Sequence, residues 1–326
     1  MFVTTDSCVL TAKRPSRLQY AKIKEGSLKA FRLNTETLEF VYYTENNDFS
    51  VDYENGEVCL TENSAIPDFR GSVFYGVNPF DQDVVKSYGN DPYVVYFSYI
   101  TEDEKPLIDV ARYISLKNGN LHALSEYLKN FKKEELKLTV FGDSISTGCE
   151  AFPYGETYFS FFKKSVENSY GIKVVMRNAS VGGDDTNLAR ARFEKDVMPF
   201  ESDLTIVAFG MNDQNRFGDV LPVTPDIYEE NVEYFAETLV KRGDKLLFVS
   251  PCECHKNWIH RSGRTGEYVE KLKEISMRYG SSFADVNALW NYALKRKSDD
   301  DLLRNGINHP NNYGHSIYNV MLETLL

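Results

Sequence analysis

The chain of 326 residues contains no run of 18 apolar residues, so no segment is long enough to cross a membrane as an apolar helix. Its first residues, MFVTTDSCVLTAKRP, lack the charged and then apolar order of a signal peptide. This favours a cytoplasmic protein, with a secreted form whose signal has been removed as the alternative. Cysteine is sparse: five residues in an odd, scattered set are typical of reduced thiols rather than of a disulfide framework.

Positively charged residues are outnumbered: the sequence contains 37 Lys and Arg but 48 Asp and Glu, which gives a formal net charge of −11. A surface of this sign disfavours nucleic acid and anionic membranes as partners, although it does not identify a substrate or an oligomeric state. An apolar content of 42% with 21 Tyr and 21 Phe indicates well-built cores rather than disorder. At this length two domains are the expectation.

The first part of the chain lacks long helical patterns. It consists of short runs of β-branched and aromatic residues between turn-forming clusters, and YENGEV predicts a hairpin with a two-residue turn at Asn55-Gly56. We therefore predict a β-sandwich-like or jelly-roll-like domain over residues 1–134, which either binds carbohydrate, forms part of a cleft or only stabilises the protein. The predicted strands are 38–44, 49–53, 57–61, 71–77 and 92–100.

The pattern changes after residues 121–137, a charged helical or linker stretch. Over residues 135–326 strands and helices alternate, which predicts a parallel sheet covered on both faces, that is, a three-layer α/β/α domain. The predicted strands are 136–141, 172–178, 203–210, 245–250 and 281–285, and the predicted helices are 155–170, 186–197, 225–242, 264–279 and 312–325.

The segment FGDSISTG, residues 141–148, follows the first of these strands. It places Asp143 and Ser144 at the carboxyl end of a buried strand, the edge of an α/β sheet at which ligands bind. We expect Ser144 to be exposed there, with its own N–H directed at a developing oxyanion. A Gly-Asp-Ser tripeptide alone usually indicates only a turn, so other segments must supply the partners.

Three further segments follow at the strand ends or before the last helix. NASVGGDDT (178–186) offers Gly182 and Gly183, FGMNDQN (209–215) offers Asn212, and NGINHPNNYGH (305–315) offers His309. Each alone has a plain structural explanation as a turn, a helix cap or a loop histidine. Together, in this order at one edge of the sheet, they indicate a site.

These blocks resemble those of the SGNH (GDSL-type) hydrolase superfamily: GDS, a glycine after the second strand, GxND, and a histidine before the last helix. The resemblance covers residues 136–326 and implies the SGNH α/β fold. It also implies acyl transfer to water through an acyl-enzyme, with no metal and no organic cofactor.

The resemblance implies a role for each residue. Ser144 is the nucleophile and His309 the general base, since a serine hydroxyl needs a neighbouring base to take its proton. The oxyanion hole consists of the N–H of Ser144, the N–H of Gly183 and the side chain of Asn212, with Gly182 as the neighbouring alternative to Gly183.

One position departs from the family pattern, in which an Asp three residues before the histidine orients the imidazole. That position is Gly306 here, next to Asn305. The partner of the ring is then Asn305, a carboxylate of the run Asp299–Asp301, or a backbone carbonyl that would make a Ser-His dyad. Because an Asp run usually forms a solvated face, the dyad is the favoured interpretation.

The loop PCECHKNWIH, residues 251–260, has two interpretations. Its Cys and His residues allow a zinc site, but the pattern lacks a second spaced pair of ligands, so a wall of the substrate pocket is favoured. Trp258 in this loop and Glu150 after the serine turn are candidate substrate contacts. His315, on the last helix, is expected to pack or to cap, and Asp143 and Asp213 to bond to loop backbone.

The two-domain layout resembles that of carbohydrate acetyl esterases with a β-sandwich before the hydrolase domain. The resemblance implies a serine esterase that removes a small acyl group, first of all acetyl, from a small-molecule or oligosaccharide ester. One alternative is a lysophospholipase-type or thioesterase-type acyl hydrolase. A second alternative, based on the missing acid, is a catalytically inactive glycan-binding protein.

Overall fold

The computed structural model describes residues 1–12, 14–34, 37, 39–84, 89–103, 105–119, 123–152 and 156–326. Leu38, Leu121, His122 and Gly155, which belong to predicted elements, lie outside the described residues. The backbone forms two compact units. Unit 1 comprises Met1–Pro106, Cys254–Ile259 and Tyr292–Gly314, and unit 2 comprises Leu107–Glu253, His260–Asn291 and His315–Leu326. The domain boundary near residue 135 stays a prediction.

Unit 1 contains two antiparallel sheets, one of four strands and one of three. The rings of Phe49 in one sheet and Phe97 in the other are both buried and meet edge to face at 6.1 Å between centroids. The two sheets therefore share an apolar interior, and the predicted β-rich region is confirmed. The strands are β1 (Phe2–Val9), β2 (Ser16–Arg17), β3 (Lys29–Leu33), β4 (Phe40–Tyr43), β5 (Phe49–Asp52), β6 (Glu57–Leu60) and β7 (Val94–Ile100). Their orders in the two sheets are β1-β7-β3-β4 and β2-β6-β5.

Several local predictions for this region are wrong or incomplete. The strand predicted at 71–77 is a short 3-10 turn, Phe69–Gly71, followed by further turns, and its Val73 and Tyr75 are 53% and 45% exposed. An apolar run becomes a strand only where a neighbouring strand can pair with it. The β5–β6 hairpin exists, but its last paired residues leave a four-residue connection, 53–56, rather than a two-residue turn. Strands β1, β2 and β3 were not predicted.

Unit 2 contains one parallel sheet of five strands. Nearly all side chains of its central strands are buried, as expected for a parallel sheet that helices cover on both faces. The predicted α/β fold class is thus confirmed. The strands are β8 (Glu135–Gly142), β9 (Lys173–Asn178), β10 (Leu204–Ala208), β11 (Lys245–Val249) and β12 (Ser282–Ala284). Their order in the sheet is β12-β11-β10-β8-β9.

The helices alternate with these strands, and their ends agree with the local sequence. At α6 (Pro225–Arg242), Thr224 caps the first turn, Pro225 occupies the first helical position and Gly243 ends the helix with a φ of 105°. Among the described residues, no helix is both long and apolar enough to cross a membrane. The helices are α1 (Leu107–Asn118), α2 (Ala123–Lys129), α3 (Ser144–Thr147), α4 (Tyr158–Tyr170), α5 (Thr186–Asp196), α6 (Pro225–Arg242), α7 (Thr265–Arg278), α8 (Val286–Ala293), α9 (Asp299–Leu302) and α10 (Asn312–Glu323).

The strand order determines which loops are neighbours. Strand β8 lies between β9 on one side and β10 on the other, and all three strands run parallel. The carboxyl end of β8 is therefore the point at which the order of the sheet reverses, which is where open α/β sheets bind ligands. The loops that follow β8, β9 and β10 meet at this edge.

Candidate active site

Ser144 is the first residue of α3, directly after β8. Asp143 caps the helix, since its Oδ1 accepts a hydrogen bond of 2.9 Å from the N–H of Ile145, as predicted. The prediction that Ser144 is exposed is wrong, because its exposed fraction is 5%. The loop after β9 lies against it: a Cβ added to Gly182 would be 3.8 Å from the Cβ of Ser144.

The loop after β9 carries the two candidate glycine donors. It is joined to β8 by a hydrogen bond of 3.1 Å from the N–H of Val181 to the carbonyl of Gly142. Gly183 is exposed and has a φ of +83°, a conformation that glycine adopts without the strain of a Cβ. The structure brings this loop beside Ser144, while the choice of Gly183 as the oxyanion donor stays a prediction.

Asn212 and Asp213, after β10, both bond to the loop after β9. The side-chain amide of Asn212 donates to the carbonyl of Asp184 at 2.8 Å. Asp213 Oδ1 accepts from the N–H of Thr186 at 2.8 Å and from its hydroxyl at 2.6 Å, so its predicted bonding to loop backbone is confirmed. The candidate oxyanion residues of unit 2 thus lie on loops that are joined directly.

Two carboxyl groups beneath this edge of the sheet have raised pKa values. Burial raises the pKa of Asp143 to about 7, and hydrogen bonds from the backbone of Ile145 and Ser146 only partly oppose it. Burial likewise raises the pKa of Asp213 to about 7 against the two hydrogen bonds from Thr186. Removing a carboxylate from water disfavours its charged form, which explains why both pKa values are raised.

Arg192, on α5, was not predicted to act at the site. Its Nε donates to Asp184 Oδ2 at 2.6 Å, and its Nη1 donates to the carbonyl of Ala179 at 2.6 Å. The guanidinium also lies over the ring of Phe141, 5.1 Å from the centroid. One side chain therefore holds two points of the loop after β9. Asp184 and Arg192 are both visible in the sequence, but nothing there shows that they pair.

His309, in unit 1, lies in a narrow loop between α9 and α10. The loop is closed by hydrogen bonds from the N–H of Arg304 to the carbonyl of His309 at 2.9 Å and from the N–H of Asn311 to the carbonyl of Leu302 at 2.8 Å. Gly306, at its tip, has a φ of +72°. The backbone around His309 is thus paired on both sides of the loop.

Asn305 fills the tip of this loop. Its Oδ1 accepts from the N–H groups of Ile307 at 2.9 Å, Asn308 at 3.0 Å and His309 at 2.9 Å, and its Nδ2 donates to Asn308 Oδ1 at 3.0 Å. In the structure Asn305 therefore holds the backbone of His309 rather than the imidazole. The Ser-His dyad stays a prediction.

The predicted solvated face at Asp299–Asp301 is wrong, because Asp299 and Asp301 are each only 5% exposed. Asp301 belongs to a capping box with Ser298 at the start of α9, and its Oδ1 accepts from the N–H of Val9 at 2.9 Å. Asp300 Oδ1 lies 3.5 Å from His255 Nε2. These carboxylates pair within unit 1 instead of facing solvent.

Trp258 and Glu150 are the two candidate substrate contacts. The indole of Trp258 is buried and donates to Gln82 Oε1 at 2.5 Å. Glu150 is exposed and has a φ of 65°, and the contacts of both residues with substrate stay predictions. His315 is fully buried, and its Nδ1 accepts from the N–H of Tyr158 at 3.4 Å, so it packs as predicted. The five cysteines, all within the described part of the chain, form no disulfide.

The chain is similar to known esterases in sequence and in fold. The chain is similar to an acetylxylan esterase of Geobacillus stearothermophilus, with 28% identity over 199 residues that cover 56% of this chain and 89% of the esterase. The crystal structure of Axe2, an acetylxylan esterase of that organism, superposes with a TM-score of 0.51 and 23% identity over 58% of this chain and 94% of the other. LAE5, an α/β hydrolase from the metagenome of Lake Arreo, superposes with a TM-score of 0.50 and 22% identity over the same shares.

These structural similarities show the fold of an SGNH hydrolase. The sequence model of the GDSL-like Lipase/Acylhydrolase family matches residues 140–317, which is more than half of the chain and runs from the end of β8 into α10. The chain therefore belongs to the GDSL-like lipase/acylhydrolase family, and it is a carboxylic ester hydrolase.

Proposed function

We propose that this hydrolase removes small acyl groups, with acetyl preferred, from esterified carbohydrate. Ser144 acts as nucleophile and His309 as general base. The oxyanion is stabilised by the N–H groups of Ser144 and Gly183 and by the amide of Asn212. The observation that carries the proposal is the junction of three loops at the carboxyl ends of β8, β9 and β10, where Gly182 lies beside Ser144 and Asn212 bonds to Asp184.

Each step follows from these groups. Ser144 Oγ attacks the ester carbonyl carbon while His309 accepts its proton, and the developing negative charge falls on the carbonyl oxygen. Hydrogen-bond donors fixed before the reaction stabilise that charge without reorganising at the moment of attack. The alcohol leaves with the proton from His309, and a water molecule activated by the same imidazole then hydrolyses the acyl-enzyme.

The substrate class rests on the relatives. The similar protein of G. stearothermophilus is an acetylxylan esterase, and two structures of it, in which a serine or a histidine is replaced by alanine, are described as catalytic mutants. Catalytic mutants at a serine and at a histidine in a protein of this fold support the roles proposed for Ser144 and His309. The acetylated sugar is carried over as a proposal only.

A chain-length series of 4-nitrophenyl esters tests the acyl group. We expect kcat/KM to be highest for acetate and to fall steeply towards butyrate and octanoate. Acetate release from acetylated xylo-oligosaccharides then tests the sugar. Equal rates on acetate and octanoate would favour a lysophospholipase-type or thioesterase-type hydrolase instead.

The proposed residues are tested with Ser144→Ala and His309→Ala, each compared with the wild type and with the control His315→Gln. The control keeps an acceptor for the N–H of Tyr158 at a buried histidine outside the proposed machinery. We expect both active-site variants to lose at least about 10³-fold in kcat and the control to retain activity. Acetate release at the wild-type rate by Ser144→Ala would overturn the proposed mechanism.

A further inference from the structure

The loop that carries His309 is held in unit 1 by residues of the amino-terminal β-rich region. Asn90, which is buried, donates its N–H to the carbonyl of Arg304 at 2.6 Å. Its side-chain amide donates to the carbonyl of Leu303 at 3.1 Å and lies 3.3 Å from Asp300 Oδ1. Arg304, in turn, forms an ion pair of 2.5 Å with Asp91. Two successive residues of the loop before β7 thus hold the start of the histidine loop.

A second attachment, from β1, holds the other end of the same loop. The hydroxyl of Ser7 donates to the carbonyl of Asp301 at 2.5 Å and accepts from Asn311 Nδ2 at 3.1 Å. Asn311 Nδ2 also bonds to the carbonyl of Asp301 at 2.7 Å, and Asn311 Oδ1 accepts from the N–H of Gly314 at 3.0 Å. The segment is therefore held at Asp301, Leu303 and Arg304 before the histidine and at Asn311 after it.

We propose that Asn90 and Ser7 are positioning residues for His309, so that the amino-terminal β-rich region contributes to catalysis by fixing the place of the general base. This inference rests on the proposed role of His309. Every hydrogen bond that carries it ends on backbone or side chains that flank His309, and none of these groups is the base itself. Proton transfer depends steeply on position, and a misplacement of about 1 Å can cost about 10²-fold in rate.

The geometry indicates which substitution is informative. Asn90→Asp keeps the shape of the side chain, but it replaces the amide donor by a carboxylate that faces the carbonyl of Leu303 and the carboxylate of Asp300. Attraction becomes repulsion at the start of the histidine loop, with little change in volume. Ser7→Ala removes the hydroxyl that links Asp301 to Asn311 and introduces no charge.

A matched control exists in the same region. Asn47 is exposed, and its Nδ2 donates to Asp48 Oδ1 at 3.2 Å, remote in sequence from residues 299–311. Asn47→Asp makes the same chemical change without touching the histidine loop. All variants are made in the full chain and assayed with 4-nitrophenyl acetate for kcat and KM, with the melting temperature measured in parallel.

We expect Asn90→Asp and Ser7→Ala to lower kcat roughly 10- to 100-fold with KM within about twofold of the wild type. Asn47→Asp should behave as the wild type. A merely structural role would lower the melting temperature and the amount of folded enzyme, but it would leave kcat per folded molecule unchanged, and that outcome would overturn the inference. If Asn90→Asp does not fold, Ser7→Ala decides the question alone.

A double-mutant cycle with His309→Ala separates this inference from the proposed function. If Asn90 and Ser7 act through the imidazole, adding either substitution to His309→Ala should not lower the residual rate further. Full activity of His309→Ala would instead refute the proposed base. Loss of activity in His309→Ala with wild-type kcat in both Asn90→Asp and Ser7→Ala would refute only the positioning role.

Discussion

The side-chain amide of Asn212 donates a hydrogen bond of 2.8 Å to the backbone carbonyl of Asp184. An amide nitrogen carries two hydrogens, so this bond fixes the orientation of the group, and in the proposed mechanism the second hydrogen is donated to the oxyanion. The carbonyl belongs to the residue that follows Gly183. The orientation of one proposed oxyanion donor is therefore set by the loop that carries another.

Asn212→Ala should lower kcat by roughly 10²–10³-fold, or about 3–4 kcal/mol of transition-state stabilisation, because one donor to the oxyanion is lost. The fold should persist, since Asn212 is only half-buried. The measurement is kcat and KM with 4-nitrophenyl acetate, together with a melting curve. Asn187→Ala, at an exposed position on α5, is the comparison. A kcat within threefold of the wild type for Asn212→Ala would remove this residue from the oxyanion hole.

Arg192 should affect both stability and rate. Its guanidinium bonds to the carboxylate of Asp184 and the carbonyl of Ala179, with the two side chains of the ion pair 16% and 7% exposed. Arg192→Met leaves the carboxylate of Asp184 without its cation, which should lower the free energy of unfolding by about 3–5 kcal/mol. Arg192→Lys keeps the charge but cannot bond to both groups at once, so it should lower kcat with a smaller loss of stability.

The control for Arg192 is Arg190→Met, two residues earlier on the same helix, where the side chain is exposed. Urea unfolding gives the stability of each variant, and a double-mutant cycle gives its coupling to Asn212. If Arg192 acts on the rate through the loop of Asp184, Arg192→Lys should lower kcat far less in an Asn212→Ala background than in the wild type. If the two substitutions lowered kcat independently of each other, Arg192 would not act on the rate through this loop.

Most elements of unit 2 follow from the sequence. Alternating apolar runs and amphipathic stretches predicted β8 to β12 and the helices α4, α5, α6, α7 and α10 to within a few residues, because strand and helix signals there are local. The helices α1, α3 and α8 were not predicted. At α6 the predicted span, 225–242, is the observed one, since a threonine cap, a proline and a terminal glycine mark both ends. The sequence blocks likewise led to Ser144 and Asn212, whose loops meet the loop after β9 at one edge of the sheet, while their roles stay predictions.

The features that were predicted wrongly depend on contacts between distant parts of the sequence, which a local pattern does not show. The run at Asp299–Asp301 looks like a solvated face, yet Asp301 is buried because Val9, at the other end of the chain, donates to it. The apolar run 71–77 has strand composition but no pairing partner, and it forms turns. Helix α1 was missed because it follows a long β-rich stretch.

Stability should depend on pH through Asp213. Its pKa is about 7 in the folded protein and about 3.9 in an unfolded chain, so the folded state retains a proton that the unfolded state releases. The contribution is fully present below about pH 4 and is lost as the pH rises through 7. Asp213→Asn keeps an acceptor for Thr186 and should reduce this loss, by at most on the order of 4 kcal/mol.

Urea unfolding of wild type and Asp213→Asn at pH 4.5, 5.5, 6.5 and 7.5 tests this dependence. The variant should lose less stability between the first and the last pH than the wild type does. Asp143, whose pKa is also about 7, should maintain part of the dependence in the variant. Asp219→Asn, at an exposed site, is the control. Parallel curves for wild type and Asp213→Asn would contradict the prediction.

Lys297 should stabilise unit 1 far more than a surface lysine does. Its ammonium lies 2.7 Å from Asp6 Oδ1, and both side chains are completely buried. Burial alone would lower the pKa of Lys297, but the negative charge of Asp6 and its neighbours keeps that pKa above its ordinary value. Lys297→Met would leave the carboxylate of Asp6 buried without a cation, so the free energy of unfolding should fall by about 3–5 kcal/mol.

The comparison is Lys241→Met, which breaks the pair of Lys241 with Glu237 on α6, whose side chains are 72% and 54% exposed. An exposed pair of this kind contributes little to stability, because water and salt screen it. The double variant Asp6→Asn/Lys297→Met should recover part of the loss, since it removes both buried charges together. Urea unfolding measures the free energy of unfolding of all these variants. If Lys297→Met and Lys241→Met lost equal amounts, the buried pair would not hold the amino-terminal strand to the segment before His309.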